Sequence, residues 1–307
     1  MSLSEPDEID KILRDTERME QLLALEKERR GVRPNDLVFI GAANLANYWW
    51  CAMKAVLKSR ANEMMFFASY LYDRLRYAKK LGLIDELPER DEELLEVGEG
   101  IGLAEVEKLL KQKEKDFTGR GLIILSQMWR TEDDEKVAVV NPYLVESERA
   151  REEAKLKAQG ARVADIEEFP MLRGEFLQTA KAEQYPTIRW GFEWDKYVIW
   201  AVPDGITDEF VYEFKTTRSR WLLRYAKGPA MVQADIYGHL FKRPKKRVQF
   251  YIVEEDKLLT FEEEASEAEV LRVLRRFAAV DSGQPPRPPA KWKCKNCAYR
   301  EICPIAA

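Results

Sequence analysis

The chain has 307 residues, of which 46% are hydrophobic and 34% charged, and its formal net charge is −4. This length suits one large domain with insertions or two modest domains, and the hydrophobic fraction is sufficient for a packed core. A chain with a net negative charge is not attracted to nucleic acid as a whole, so any contact with nucleic acid depends on local basic patches. No apolar run reaches the length of a membrane span, and the first residues are polar and acidic. We therefore expect a cytoplasmic protein that does not associate with membranes.

The N-terminal part of the chain is predicted to be almost entirely helical. Apolar side chains recur at helical spacing over residues 5–30, 42–59, 61–80 and 92–115. A short apolar run at residues 37–40 interrupts this pattern. We therefore predict a helical subdomain over residues 1–120.

Beyond residue 120, short runs rich in β-branched and aromatic residues alternate with helical stretches. Strands are predicted at residues 121–128, 136–140, 162–166, 187–194, 196–202, 210–214, 247–253 and 258–261. Helices are predicted at residues 147–159, 229–240 and 266–280. This mixture predicts an α/β core over residues 121–281. A Pro-rich linker and a Cys-rich tail follow over residues 282–307.

The segment VIWAVPDGITDEFVYEFK, residues 198–215, contains two short apolar runs separated by Asp204-Gly205 and further acidic residues. Alternation along the second run places Glu213 and Lys215 on one face of a strand, with Asp204 at the end of the neighbouring strand. Converging Asp and Glu carboxylates suit Mg²⁺ or Mn²⁺, and a lysine beside them can hold a water or a phosphate. This set predicts metal-assisted phosphodiester hydrolysis. The same residues also suit an ordinary hairpin turn followed by a solvent-exposed strand face.

The chain has four cysteines, and three of them lie in the tail as Cys294-x₂-Cys297-x₅-Cys303-Pro304, with Cys51 far upstream. In a reducing compartment a disulfide is not the expected explanation. Four thiolates suit either a 4Fe-4S cluster or a Cys₄ zinc site. A single CxxC pair and the Cys-Pro ending favour iron–sulfur over zinc. Either group would join the two ends of the chain, which predicts a structural rather than a redox role.

The order of residues around this segment resembles the PD-(D/E)xK nuclease core in its RecB-like form. Asp204 is followed by Glu213-Phe214-Lys215 and then by Gln233-x₃-Tyr237 in the next predicted helix. Together with the four cysteines, this order is similar to that of the CRISPR-associated RecB-type iron–sulfur exonucleases. The resemblance covers roughly residues 160–307 and the region of Cys51.

The resemblance implies a restriction-endonuclease-like PD-(D/E)xK core with an N-terminal helical subdomain and a C-terminal iron–sulfur tail. It implies that Asp204, Glu213 and the Phe214 carbonyl bind Mg²⁺ or Mn²⁺ and that Lys215 orients the attacking water. Gln233 and Tyr237 would contact DNA or organise the site. The remaining implied ligands hold a 4Fe-4S cluster: Cys51, Cys294, Cys297 and Cys303.

One departure from the family concerns the metal-binding His that its members carry on a helix ahead of the core strands. The only histidine of this chain, His239, lies inside the Gln233-x₃-Tyr237 helix, and Gly102 stands where the family has its His. Glu105 could supply the missing oxygen ligand, as could Glu99. Both are equally well explained as solvated helix acids.

The resemblance implies a metal-dependent DNA nuclease, an exonuclease preferring single strands that trims CRISPR spacers beside an integrase. A stand-alone repair or mobile-element nuclease fits the same residues, and so does a catalytically weak DNA-binding scaffold. Cations and rings that follow the catalytic strand are candidate DNA contacts: Arg218, Arg220, Trp221, Arg224, Tyr225 and Lys227. A second basic run over residues 242–247 is equally typical of a solvated loop.

Overall fold

A computed structural model describes residues 19–80, 177–178, 181–183, 185, 187–295 and 297–306. Several predicted elements lie outside these residues, namely the helices at 92–115 and 147–159 and the strands at 121–128, 136–140 and 162–166. Helices of the described part include α1 (residues 19–29), α2 (Ala42–Ala46), α3 (Ala52–Ala61), α4 (Glu63–Lys80), α5 (Arg220–Leu240), α6 (Glu267–Asp281) and α7 (Lys291–Lys295). Its strands include β1 (Phe39–Gly41), β2 (Trp190–Trp194), β3 (Tyr197–Ala201), β4 (Gly205–Ile206), β5 (Phe210–Thr217), β6 (Lys245–Ile252) and β7 (Lys257–Glu264). The fold is a mixed α/β fold. Among the described helices, none combines the length and hydrophobicity that crossing a membrane requires.

The first sheet has three strands in the order β1-β3-β2. Strand β3 runs parallel to β1 and antiparallel to β2, so that Ile199 pairs with both Ile40 and Phe192. The tight turn between β2 and β3 contains Asp195 at a φ of 54°, a region in which Asp is tolerated. The hairpin predicted from residues 187–194 and 196–202 is therefore confirmed.

The second sheet has four strands in the order β4-β5-β6-β7. Strands β5 and β6 are parallel, with Glu213 opposite Val248, whereas β4 and β7 run antiparallel to their neighbours. Parallel neighbours need a long crossover, and helix α5 supplies it between β5 and β6. The two strands that flank Asp204 therefore belong to different sheets, and the short hairpin is formed by β4 and β5.

Strand β5 confirms the predicted alternation of side chains. Val211 is buried in the main hydrophobic core together with residues of α5 and α6. Tyr212 and Phe214 lie in a separate aromatic cluster that also contains Tyr251. Glu213 therefore points to the same side as Val211, where the sheet is covered by helices.

Two helix predictions are wrong in their bounds. The single helix predicted over residues 42–59 is broken, because α2 ends at Ala46 and Cys51 is extended before α3 begins. The helix predicted from residue 229 begins at Arg220, and Pro229 lies inside it. Residues 220–227 were predicted as a basic-aromatic segment outside a helix. Leu223 and Ala226 pack against the main core, and this contact outweighs the local preference of Pro229 to end a helix.

A close contact joins Trp49, which lies in the break after α2, to Gly228 of α5. The break after α2 brings the Trp49 indole against α5 at Gly228, where a methyl group would lie 2.1 Å from the ring. Only glycine leaves room for this contact, so the two segments are fitted to each other.

Replacing Gly228 with alanine is expected to lower the free energy of unfolding by about 1–3 kcal/mol, because the added methyl group overpacks the contact with Trp49. Urea unfolding measures the change. The same substitution in a Trp49→Ala background should cost much less, because the opposing ring is gone. An equal cost in both backgrounds would show that the contact is not the cause.

Candidate active site

Asp204 lies in the segment between β3 and β4 and faces the middle of β5. Its Oδ2 accepts a hydrogen bond from the backbone N–H of Phe214 at 2.7 Å. Phe214 stands between Glu213 and Lys215, so this bond fixes the Asp204 carboxylate beside the side chains of both neighbours. Asp204, Glu213 and Lys215, which the sequence places one after another along the chain, thus lie close together in the structure.

The Glu213 carboxylate is buried and incompletely satisfied. Its side chain is 1% exposed, and among the described residues only Lys215 hydrogen-bonds its oxygens. Its contact is the Lys215 ammonium. Burial and, after it, the charge of Asp204 raise the pKa of Glu213 to about 8, although Lys215 opposes both effects. Because buried carboxylates are normally hydrogen-bonded to several donors, a bound cation would complete this arrangement.

Lys215 remains a cation at neutral pH. Burial lowers its pKa, but the charges of Glu213 and Asp204 raise it, and the net result lies above the ordinary lysine value. The side chain keeps 39% of its surface exposed. A charged lysine does not accept a proton. Its chemical role is therefore to donate hydrogen bonds to a water or to a phosphate oxygen.

Gln233 and Tyr237 extend the site onto helix α5. Both side chains are buried, and Gln233 Nε2 donates a hydrogen bond to the Tyr237 hydroxyl at 3.0 Å. Burial raises the pKa of Tyr237 well above its usual value, and the charges of Glu213 and Asp204 add to this effect. The Val202 backbone also hydrogen-bonds the phenol. The structure therefore brings Asp204, Glu213 and Lys215 together with these two residues.

Asp235 lies between Gln233 and Tyr237 in the sequence but has a different task. Its Oδ1 accepts hydrogen bonds from Lys246 Nζ at 2.6 Å and from the Ser266 N–H at 2.7 Å. Both side chains of the ion pair are about 95% buried. This pair ties α5 to β6 and to the start of α6, which leaves the other face of α5 to the site.

Of the other residues considered in connection with the metal, only His239 lies in the described part of the chain. Glu105, Glu99 and Gly102 lie outside the described residues. His239 points towards helix α6, with Nδ1 3.6 Å from a carboxylate oxygen of Glu267. Burial and the charge of Lys242 lower the pKa of His239, and Glu267 partly offsets them.

The four cysteines line one cavity of about 230 Å³. All are free thiols, and Cys294 is the most buried of them. Burial raises the pKa of the Cys51 thiol, as do Cys303 and Cys294, while nearby backbone hydrogen bonds oppose the rise. Within the described ranges, no group of three or more His, Cys, Asp or Glu side chains is arranged to hold a metal ion. The four thiols therefore share a cavity without converging on one ion.

The tail that carries three of these cysteines is fastened to the segment before Cys51. Lys293 Nζ donates to the backbone oxygens of Trp49 at 3.3 Å and Trp50 at 3.1 Å. The Trp50 and Trp292 rings also meet edge to face, with centroids 5.7 Å apart. The two distant parts of the sequence are thus in direct contact around the cavity.

Sequence reasoning missed two lysines of helix α3. Lys58 is partly buried, and its pKa is lowered first by burial and then by the charges of Lys54 and Lys215. Lys54 also lines the cysteine cavity. The four-residue spacing of the two lysines, which places them on one helix face just after Cys51, was the available signal.

Comparisons with known proteins do not assign a family. No family model matches the chain, and no curated protein matches it. One similar solved structure is that of SSO0001, with 23% identity, a TM-score of 0.33, and coverage of 54% of this chain and 82% of that chain. Another is an alkaline exonuclease from Laribacter hongkongensis, with 14% identity, a TM-score of 0.28, and coverage of 38% of this chain and 69% of that chain. Scores this low assign neither fold nor activity.

Proposed function

We propose that this protein is a divalent-metal-dependent deoxyribonuclease with a restriction-endonuclease-like core. The observation that carries the proposal is the buried Glu213 carboxylate, which lies near Asp204 and has Lys215 as its only hydrogen-bond partner among the described residues. Two carboxylates brought together in this way repel each other unless a cation lies between them. Oxygen donors of this kind are the ligands that Mg²⁺ and Mn²⁺ prefer.

Each side chain of the site has a defined task in this proposal. Asp204, Glu213 and the Phe214 carbonyl would hold the ion, with Glu105 as a further candidate ligand. When bound, the ion supplies Lewis-acid polarisation of the phosphate and lowers the pKa of water. The Phe214 N–H holds Asp204 in place, and the Lys215 ammonium orients the attacking water or a phosphate oxygen.

Helix α5 contributes two further side chains to the proposed site, those of Gln233 and Tyr237. The Tyr237 hydroxyl accepts a hydrogen bond from Gln233, which leaves its own proton to be donated. Its high pKa keeps that proton in place across the working range of most enzymes. Gln233 and Tyr237 therefore act as a fixed donor network that positions the reacting groups or the DNA strand.

We further propose that the four cysteines hold a 4Fe-4S cluster with a structural role. The support is chemical, because four thiols line one cavity and four thiolates can ligate such a cluster. A Cys₄ zinc site would use the same four ligands. Iron and zinc analysis of anaerobically purified protein separates the two possibilities.

The finer parts of the proposal rest on the sequence resemblance alone. They are a preference for single strands, exonucleolytic cutting, and trimming of CRISPR spacers beside an integrase. A stand-alone repair or mobile-element nuclease would use the same site. Co-purification with an integrase distinguishes these roles and leaves the chemistry unaffected.

The test is cleavage of end-labelled linear DNA by the anaerobically purified protein, with Mn²⁺ or with EDTA. We expect cutting that requires the metal, and we expect Lys215→Ala and Asp204→Ala to abolish it. Lys257→Ala, which changes an exposed lysine on the same sheet, is the matched control and should cut like the wild type. Circular single strands should resist an exonuclease. Undetectable cutting by the wild type and by both site variants would support the DNA-binding scaffold instead.

A further inference from the structure

We infer that the surface beside the cysteine cavity binds unpaired nucleic acid by stacking its bases on four aromatic rings. The rings are those of Trp50, Trp221, Tyr225 and Trp292, which we call the aromatic platform. This inference rests on the proposed function, because it names the route by which a strand would be held near the site. It adds a binding surface that is separate from the Asp204 and Glu213 carboxylates.

The platform is assembled from three separate parts of the chain. Trp221 and Tyr225 lie in the first turns of α5, Trp50 precedes Cys51, and Trp292 lies in α7. The Tyr225 ring stacks on Trp50 at 6.2 Å and meets Trp221 at 5.3 Å and Trp292 at 5.7 Å. Such mutual contacts hold large rings in fixed orientations.

The outer rings are open to solvent. Trp221 is 60% exposed and Trp292 is 52% exposed. Exposed tryptophans that are grouped together indicate a binding surface, because a folded chain normally buries most of an indole. Leu222, the next residue in α5, is also exposed but lies on a different side of the helix, because consecutive residues do not share a helix face.

Cations accompany the rings. The Arg224 guanidinium lies 4.2 Å from the centre of Trp221 and 4.5 Å from that of Tyr225. Lys293 Nζ lies 5.4 Å from the centre of the Trp50 ring and 5.7 Å from the centre of the Trp292 ring. Rings interleaved with cations suit a strand whose bases stack and whose phosphates need counter-charges.

A basic groove continues from the platform. It encloses about 660 Å³ and shares Trp50 and Lys293 with the surroundings of the cysteine cavity. Its lining includes four arginines of α6 and the Pro-rich segment, namely Arg272, Arg275, Arg276 and Arg287. Of these, Arg272 pairs with Glu269, whereas the other three have no acidic partner among the described residues. In a chain whose net charge is −4, this local excess of positive charge indicates a polyanionic partner.

Unpaired strands fit this surface better than duplexes. In a duplex the faces of the bases are stacked on one another and cannot reach a protein ring, whereas an unpaired strand offers every base face. A partner that bound only the basic groove would need nothing more than negative charge, and it would not use the aromatic platform. The two features together therefore select single-stranded DNA or RNA.

The test is fluorescence anisotropy in EDTA, which prevents cutting, with the holo-protein and three labelled probes of about 20 nucleotides. The probes are oligothymidylate, an abasic oligomer with the same phosphates, and a duplex. We expect oligothymidylate to bind about 10-fold or more tightly than the abasic oligomer, since stacking favours each base that engages a ring. Trp221→Ala and Trp292→Ala should reduce that preference at least fivefold and leave abasic binding unchanged.

Three controls keep the outcome interpretable. Leu222→Ala removes an exposed neighbour and should keep the preference, and Trp221→Phe should restore most of it. Arg276→Glu should weaken binding to all probes and reduce the salt dependence, because phosphate contacts carry no base information. Equal affinities of the wild type for oligothymidylate and the abasic oligomer would overturn the inference. Stacking-dependent binding without cleavage would uphold it and refute the nuclease proposal.

Discussion

Replacing Glu213 with glutamine is expected to reduce DNA cleavage at least about 100-fold, since metal catalysis contributes several kcal/mol to the barrier. The same substitution should stabilise the metal-free protein at alkaline pH. A residue that only supports the fold would show the opposite, because its removal would destabilise the protein. The pair of measurements therefore distinguishes a metal-binding carboxylate from a structural one.

The stability gain follows from the buried carboxylate. The pKa of Glu213, about 8, lies above the ordinary value of 4.5, so the folded metal-free chain keeps this proton to higher pH than the unfolded chain. The stabilisation is complete below pH 4.5 and is lost as the pH rises through about 8. E213Q cannot ionise and avoids this loss. The gain at pH 9 is on the order of a few kcal/mol, reduced by the cost of burying an amide.

Urea unfolding in EDTA at pH 5 and pH 9 measures the change in stability, and Mn²⁺-dependent cutting measures the activity. Glu264→Gln, which alters an exposed carboxylate of β7, should change neither quantity. If E213Q were less stable than the wild type at pH 9, or cut DNA at the wild-type rate, Glu213 would not be a metal ligand.

The sequence was sufficient to predict the local arrangement around this carboxylate. Alternation along residues 210–214 predicted Glu213 on one face of the strand with Val211 and Lys215, and Asp204 at the end of the neighbouring strand. These features are local, because they depend on neighbours within about ten residues. The family resemblance indicated Gln233 and Tyr237, and their four-residue spacing predicts that they share one face of a helix.

Other features of the site depend on contacts between distant segments and could not be predicted. The missing hydrogen-bond donors of Glu213 reflect burial by helices, which no local pattern encodes. The approach of Lys58 to Lys215, and of Trp50 to Trp292, joins residues separated by long stretches of chain. The early start of α5 likewise depends on packing of Leu223 and Ala226 against the main core. In each case tertiary packing outweighed the local preference.

Cys51→Ser is expected to abolish the proposed 4Fe-4S cluster and to lower the free energy of unfolding of the cluster-bound protein by about 5 kcal/mol. Joining Cys51 to Cys294 closes a loop of roughly 240 residues, and the chain-entropy model gives about that value for so long a loop. The link acts mainly on the unfolded chain, whose two ends it holds together. Chemical denaturation under anaerobic conditions and metal analysis measure both effects.

The apo wild-type protein is the matched control, because it keeps the thiol but lacks the link. Apo wild type and C51S should therefore have equal stabilities, both below that of the holo-protein. Trp50 and Trp292 adjoin Cys51 and Cys294 in sequence, so loss of the cluster should also separate the rings of the aromatic platform. C51S should accordingly lose its preference for oligothymidylate over the abasic oligomer. A variant that kept this preference and the full holo stability would show that the Lys293 hydrogen bonds and ring contacts hold the tail without a cluster.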